Sequence, residues 1–184
     1  MVADRGANAA LSPDDLPARL VAGAVLVSGY LLYDPRSEPA GVAALARAEA
    51  EFVAIDMASW PLLETHGRER FHSDARGANL LLANGREAEA LTGLPPVEAA
   101  RSLVERYRWV CVKLGAEGAV MATRDRMFTA SAPSIEEMDT TGAGDAFDGV
   151  LLAGLSRGAG PERALQEACS AGAIAAASAE TWPD

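Results

Sequence analysis

Residues 139–149 form the segment of this chain whose residue types and spacing are best suited to chemistry. They read Asp-Thr-Thr-Gly-Ala-Gly-Asp-Ala-Phe-Asp-Gly, and Asp145 directly follows Gly142, Ala143 and Gly144. The small residues leave the backbone N–H groups accessible, and the apolar spacing that follows predicts a helix that begins here. The first N–H groups of a helix and the positive end of its dipole attract anions, and a phosphate is the anion that we expect.

Asp145 is expected to act on a second substrate rather than on that phosphate. A carboxylate repels a phosphate, whereas it can accept the proton of a hydroxyl group that attacks the phosphorus. A helix N-terminus stabilises the ionised carboxylate, so Asp145 is predicted to be a weak base. Phosphoryl transfer mainly requires positioning and charge stabilisation, so a weak base is sufficient. The alternative interpretation is an ordinary Gly-rich helix start with an acidic first turn.

The full segment resembles the C-terminal signature of the ribokinase-like (PfkB) carbohydrate kinases and matches it at every position. This resemblance implies ATP-dependent phosphorylation of a sugar hydroxyl, with ATP as co-substrate and Mg²⁺ as cofactor. Four further segments resemble motifs of that family in the family's order: the substrate-side segment at residues 5–11, the strand end Ser28-Gly29-Tyr30, the Asn-x-x-Glu motif at Asn84 and Glu87, and the nucleotide-binding turn at residues 113–118.

The resemblance also implies roles for individual residues. Asn84 and Glu87 follow a predicted strand and share one side of the next helix, where the amide can reach a phosphate and the carboxylate can hold Mg²⁺ through water. Taken alone, they are typical of a turn Asn and a solvated Glu. The implied roles are Asp145 as catalytic base; Gly142, Ala143 and Gly144 as anion hole; Asn84, Lys113, Gly115 and Gly118 at the ATP; Arg5 and Asn8 on the substrate side; and Glu87 at Mg²⁺.

A monovalent cation is a further expectation that comes from the resemblance. Asp139 and Thr141 correspond to positions that help to bind such a cation, for example K⁺, in several family members. The matching C-terminal ligands have no counterpart that can be placed in residues 178–182. Arg5 and Asn8 are candidates to contact the phosphoryl acceptor or the transferred phosphate, since Arg offers forked donors to oxygen-rich ligands. The alternative is that they have a structural role in their loop.

Buried strands and amphipathic helices alternate along the chain, which predicts an α/β fold with a mostly parallel sheet and helices on both faces. Ligands then bind at the carboxyl ends of the strands. We predict strands at residues 21–28, 52–56, 80–83 and 109–114, a hairpin formed by residues 119–122 and 127–130, and helices at residues 41–50, 88–91, 97–107, 143–156 and 161–177.

Composition limits the classes of function. The chain has 184 residues with 49% hydrophobic content, enough for one sizeable core, and a formal net charge of −10, which argues against nucleic acid or an anionic membrane as partner. Cys111 and Cys169 are predicted to be buried free thiols in a reducing compartment, and His66 and His72 to be solvated. No apolar run reaches membrane-spanning length, so we expect a cytoplasmic protein.

The resemblance further implies that residues 1–184 form the ATP-binding and catalytic portion of a ribokinase-like kinase domain, without its lid and N-terminal strands. In that family the Arg-Gly-Ala-Asn segment lies well inside the chain, whereas here it begins at residue 5. We therefore expect an exposed sheet edge, self-association or an upstream partner chain, and little activity of the isolated chain. The acceptor is a sugar or, alternatively, a nucleoside; a non-catalytic nucleotide-binding remnant or assembly partner is the third interpretation.

Overall fold

The structure is a computed structural model that describes residues 6–136 and 138–178. Its strands are Leu20–Val21 (β1), Ala24–Ser28 (β2), Ala48–Glu49 (β3), Phe52–Asp56 (β4), Leu80–Asn84 (β5), Trp109–Lys113 (β6), Ala119–Ala122 (β7) and Met127–Ala130 (β8). Its α-helices are Glu38–Arg47 (α1), Trp60–His66 (α2), Arg68–Asp74 (α3), Gly85–Thr92 (α4), Pro96–Leu103 (α5), Ala143–Ser156 (α6) and Pro161–Ala176 (α7). Short 3-10 helices occur at Gly6–Ala10, Pro13–Asp15, Gly29–Leu31 and Gly115–Glu117.

The main sheet has six strands in the order β2-β4-β5-β6-β7-β8. The pairs β2–β4, β4–β5 and β5–β6 are parallel, whereas β6–β7 and β7–β8 are antiparallel. β1 and β3 form a separate two-stranded parallel pair. The predicted α/β class with a mostly parallel sheet is therefore confirmed.

Helices cover both faces of this sheet. On β4, Val53 and Ile55 belong to a core that contains residues of α1 to α5, whereas Phe52 and Ala54 belong to a second core with α6 and α7. Successive residues of a strand point to opposite faces, so an uninterrupted apolar strand fills both cores. This is the two-sided arrangement that the sequence predicts.

Several element boundaries differ from the prediction: α4 begins at Gly85 rather than at residue 88, and α5 ends at Leu103 rather than at residue 107. Two further differences involve tertiary contacts. The predicted strand 21–28 is divided into β1 and β2, and Gly23 lies between them: a Cβ atom at Gly23 would stand 3.0 Å from the Cβ of Ser156 in α6. The predicted helix 41–50 is shifted and spans Glu38–Arg47. The next two residues leave the helix because they pair with β1 as strand β3.

The expectation of solvated histidines is wrong for His66 and only partly right for His72. The side chain of His66 is 6% exposed, and its Nε2 lies 2.9 Å from the carboxylate of Asp74. His72 is half-buried, with Nδ1 2.9 Å from the hydroxyl of Tyr107. The residues between β4 and β5 form the helices α2 and α3, in which the ring of His66 packs against Tyr33 and the ring of His72 against buried Phe71.

The predicted state of the cysteines is confirmed: Cys111 and Cys169 are both buried free thiols. Within the described ranges, none of the helices has the length and apolar character that a membrane crossing requires.

Gly118 is the position in the turn between β6 and β7 where a side chain is sterically excluded. Its φ is +102°, and a Cβ atom would lie 2.0 Å from the carbonyl oxygen of Ala130. At Gly115, in the same turn, φ is +62° and a Cβ atom would meet nothing within 4 Å. The first position therefore combines backbone strain with a clash, whereas the second has strain alone.

We predict that Gly118→Ala lowers the free energy of unfolding by more than about 2 kcal/mol, since the backbone of β8 must move away. The matched variant Gly115→Ala should lose only about 1 kcal/mol, the cost of a left-handed non-glycine residue. Urea unfolding of both variants measures the difference. Equal losses would contradict the steric explanation.

Candidate active site

Four neighbouring parallel strands end at one edge of the sheet, and their last residues are polar. These residues are Ser28 of β2, Asp56 of β4, Asn84 of β5 and Lys113 of β6. Ser28 pairs with Asp56, and Asn84 pairs with Lys113 in the strand register. Each stands an even number of residues after core residues that face α6 and α7, so the four side chains share that face.

A cavity of about 1230 Å³ opens at this edge. It lies between the strand ends, the start of α6, the inner side of α7 and the segment 132–135. It brings together most of the residues predicted for the site: Asn84, Glu87, Lys113, Gly115, Gly118, Gly142, Ala143, Gly144 and Asp145.

The start of α6 presents backbone donors to this cavity. Gly142 is the N-cap residue, with a left-handed φ of +79° that turns the chain into the helix. The amide of Ala143 donates to the carbonyl of Thr140 at 3.2 Å, whereas the hydrogen bonds found within the described residues include no acceptor for the amides of Gly142 and Gly144. Asp145 is exposed in the first turn of the helix. Unpaired first-turn amides beside an exposed carboxylate are the arrangement that the sequence predicts.

Lys113 is enclosed by two carboxylates. Its Nζ donates to Asp148 Oδ1 and Oδ2 at 3.0 and 2.9 Å and to Asp56 Oδ1 at 3.2 Å. Burial alone would lower the pKa of Lys113, but attraction to Asp148 and Asp56 outweighs it and raises that pKa, so the ammonium is charged at neutral pH. Burial raises the pKa of the Asp148 carboxyl, and the Lys113 ammonium opposes that rise.

Asn84 and Glu87 form a reciprocal cap at the start of α4. Asn84 Oδ1 accepts from the amide of Glu87 at 3.0 Å, and Glu87 Oε2 accepts from the amide of Asn84 at 2.7 Å. Glu87 is only 5% exposed, so the reading as a solvated residue is wrong. Burial raises the pKa of Glu87, partly offset by the backbone hydrogen bond from Asn84.

Sequence reasoning missed two acidic residues of this site, Asp56 and Asp148. The signal for Asp56 is a polar residue that ends an apolar strand, which is the same pattern that pointed to Asn84. The signal for Asp148 is its distance of three residues from Asp145, which places it one helical turn further along the same side of α6.

The carboxylates at the cavity fit a magnesium ion. Asp56 and Glu87 both line the cavity. Residues 6–136 and 138–178 contain no group of three or more His, Cys, Asp or Glu side chains placed to hold a metal. Mg²⁺ in phosphoryl-transfer sites is held by one or two carboxylates together with water and substrate phosphates, so the two carboxylates at this cavity would be a suitable donor set.

The remaining predicted residues lie outside this cluster. Asp139 Oδ1 accepts from the backbone amide of Thr141 at 2.8 Å, which closes a small turn. Hydrogen bonds from the Thr141 side chain and backbone lower the pKa of Asp139. Asn8 is exposed in the first 3-10 helix, and within the described part of the chain it is not among the cavity residues. Arg5 lies outside the described residues.

Residues 1–182 match the family described as pfkB family carbohydrate kinase, so the chain belongs to that family. Among curated relatives, 1-phosphofructokinase of Haloferax volcanii is 34% identical over 151 residues, which cover 82% of this chain and 46% of the relative. The 2-dehydro-3-deoxygluconokinase of Thermoproteus tenax is 30% identical over 175 residues, which cover 91% of this chain and 54% of the relative. The chain therefore spans about half the length of these curated relatives.

Solved structures agree with the family assignment. Aminoimidazole riboside kinase from Salmonella enterica, complexed with aminoimidazole riboside and an ATP analogue, has a TM-score of 0.83 at 26% identity, covering 97% of this chain and 64% of that one. Adenosine kinase from Sinorhizobium meliloti has a TM-score of 0.86 at 25% identity, and the match covers 95% of this chain and 56% of that one. The ribokinase-like fold predicted from the sequence is thus confirmed.

The cap at α4 leads to a prediction on stability. Asn84→Ala removes the side-chain acceptor of the Glu87 amide and should lower the free energy of unfolding by about 1 kcal/mol. Asn84→Asp keeps a cap acceptor and should stay within a few tenths of a kcal/mol of the wild type. Thermal unfolding of the two variants measures this. A loss as large in the Asp variant as in the Ala variant would argue against the cap.

Proposed function

We propose that this chain is the ATP-binding and catalytic portion, residues 1–184, of a kinase that transfers the γ-phosphoryl group of ATP to a sugar hydroxyl. One observation carries the proposal: the exposed Asp145 stands beside unpaired first-turn amides of α6, at the cavity where the polar strand ends meet. Family membership supports it, since the relatives are named as kinases of sugars and of related small molecules.

In the proposed reaction, Asp145 accepts the proton of the acceptor hydroxyl as its oxygen attacks the γ-phosphorus. The amides of Gly142, Ala143 and Gly144 stabilise the charge on the transferred phosphoryl group, and the positive end of the α6 dipole adds to this effect. For Ala143 this requires its amide to be shared with the carbonyl of Thr140. Phosphoryl transfer through a loose transition state requires mainly that the protein position the reactants and stabilise their charge.

The cavity carries a negative charge that the phosphates of ATP must meet. Asp56, Glu87 and Asp145 line it, and the nearby ammonium of Lys113 already lies between carboxylates. Asp56 and Glu87 would hold Mg²⁺, directly or through water. Bound there, Mg²⁺ would offset the charge of the phosphate oxygens. Asn84 has an amide donor beside this position and is the proposed polar contact to the nucleotide, with Gly115 and Gly118 as wall of the ATP site.

A nucleoside is the second candidate acceptor. Aminoimidazole riboside kinase of Salmonella typhimurium is 43% identical to this chain over 83 residues, covering 40% of the chain and 26% of the relative. A riboside and a free sugar share the hydroxyl group that the proposed base requires, so the same residues serve either acceptor.

Other expectations stay proposals. Arg5 and Asn8 are proposed on the acceptor side, and Asp139 with Thr141 at a monovalent cation such as K⁺. Self-association or an upstream partner chain is proposed from strand β2, which forms one edge of the sheet and carries Leu26 at 43% exposure. A cytoplasmic location is proposed because buried free thiols are typical of reducing compartments.

The base assignment predicts that Asp145→Asn lowers kcat on the order of a hundredfold or more, because the hydroxyl loses its proton acceptor. ATP affinity should stay near the wild-type value. A coupled ADP assay with sugars and nucleosides, in whichever form of the protein turns over, measures the effect. Asp125→Asn, in the exposed turn between β7 and β8, is the matched control and should leave kcat unchanged. Near-normal turnover of the Asp145 variant would show that the base is wrongly assigned.

The anion hole predicts a contrast between two glycines of α6. Gly144→Ala adds a methyl group at the cavity, 3.7 Å from Lys113 Nζ, whereas Gly149→Ala meets nothing within 4 Å. Both changes should preserve folding, and the second should raise the free energy of unfolding by about 0.5–1 kcal/mol. Only Gly144→Ala should lower turnover, more strongly than it lowers ADP affinity. Equal loss of ATP turnover in both variants would argue against phosphate contact at this turn.

A further inference from the structure

The Lys113 ammonium is paired with two carboxylates that are little exposed. Lys113 makes three contacts of 2.9 to 3.2 Å, two to Asp148 and one to Asp56. If the ammonium turned to a phosphate, it would leave Asp148, whose side chain is 2% exposed, as a buried carboxylate without its partner. Such an uncompensated charge is strongly unfavourable.

The three charged groups join elements that the rest of the site depends on. Lys113 ends β6 and Asp56 ends β4, with β5 between these strands. Asp148 lies in α6, one turn after Asp145. The ammonium is also close to the first turn itself, because a Cβ atom on Gly144 would stand 3.7 Å from Nζ. The ammonium thus links the helix that carries the proposed base to two strand ends.

The other contacts of α6 with the sheet are apolar. Phe147, Leu151 and Leu155 of this helix are buried against the core that α6 and α7 share with the strands. Hydrophobic contact is non-directional. An ion pair is directional, and in some proteins a buried one specifies how its partners are placed. Both charged residues of α6, Asp145 and Asp148, lie at its cavity end.

We propose that Lys113 and Asp148, together with Asp56, form a positioning pair. This pair holds the first turn of α6 against the strand ends and so places Asp145 and the anion-binding amides. Lys113 is then not a ligand of the nucleotide phosphates. This inference rests on the proposed function, since it explains how the proposed base is held. It also changes the role of Lys113 from a wall of the ATP site to a support behind the anion hole.

The test compares Lys113→Met, Asp148→Asn and the double variant in the full chain. Each single variant should lower kcat by about tenfold or more, because small displacements of a base are costly in rate. The KM for ATP and the Kd for ADP should change less than about threefold. The double variant should lose no more than the worse single variant, since both changes remove one interaction. Glu167→Gln, which removes an exposed ion pair with Arg163 on α7, is the control and should change none of these quantities.

A second measurement does not depend on turnover. Amide hydrogen exchange of residues 146–148, whose amides follow the first hydrogen-bonded turn of α6, should become faster by about tenfold or more in Lys113→Met and Asp148→Asn, while exchange in α4 stays at its wild-type rate. If the wild-type protein transfers no phosphoryl group to any acceptor, the proposed function fails and the exchange data still decide whether the pair holds the helix. If Lys113→Met does not fold, hydrogen exchange of Asp148→Asn, which preserves the shape of the side chain, still shows whether the pair holds the helix.

Two results would overturn the inference. If Lys113→Met raises the KM for ATP and the Kd for ADP tenfold or more while Asp148→Asn keeps the wild-type kcat, Lys113 binds phosphate directly. If both variants unfold at lower temperature but retain the kcat of the wild type and its exchange rates at residues 146–148, the pair serves stability alone.

Discussion

Burial of both faces of the central strands is the constraint on which the rest of this structure depends. Each of β4, β5 and β6 sends alternate residues into two separate apolar cores, so a polar side chain has no place along most of its length. The carboxyl ends are where hydrogen-bonding and charged groups reach a cavity. Asp56, Asn84 and Lys113 stand at these ends on one face, and α6 brings its first turn to the same place.

Charge is the second constraint, and it follows from the first. Several carboxylates meet at the strand ends, and the Lys113 ammonium forms ion pairs with two of them, Asp148 and Asp56. A polyphosphate that entered this cavity would meet negative side chains, and the first-turn amides of α6 are among the donors that line it. In the proposed function, recognition of ATP would therefore depend on the start of α6 and on Mg²⁺.

The sequence was sufficient for the parts of the site that are continuous in the chain. The turn at residues 142–145 and the spacing of Asn84 and Glu87 are local, so their placement followed from helix-start patterns. The division of residues 21–28 into two strands depends on a contact with Ser156, which no local pattern contains. The partners of Lys113 lie 35 and 57 residues away in the chain, and the shielding of His66 depends on how two short helices pack. These features required the tertiary structure.

The sequence separation of those partners also bears on the order in which the molecule assembles. The pocket is complete only when β4, β6 and α6 have all docked. The loss of chain entropy on closing the long loops between them opposes docking until the contacts between these elements form. A nucleotide that binds at the strand ends therefore has affinity for the finished fold and none for intermediates that lack one of these elements. If ATP binds there as proposed, its binding would stabilise the assembled chain against local opening and proteolysis.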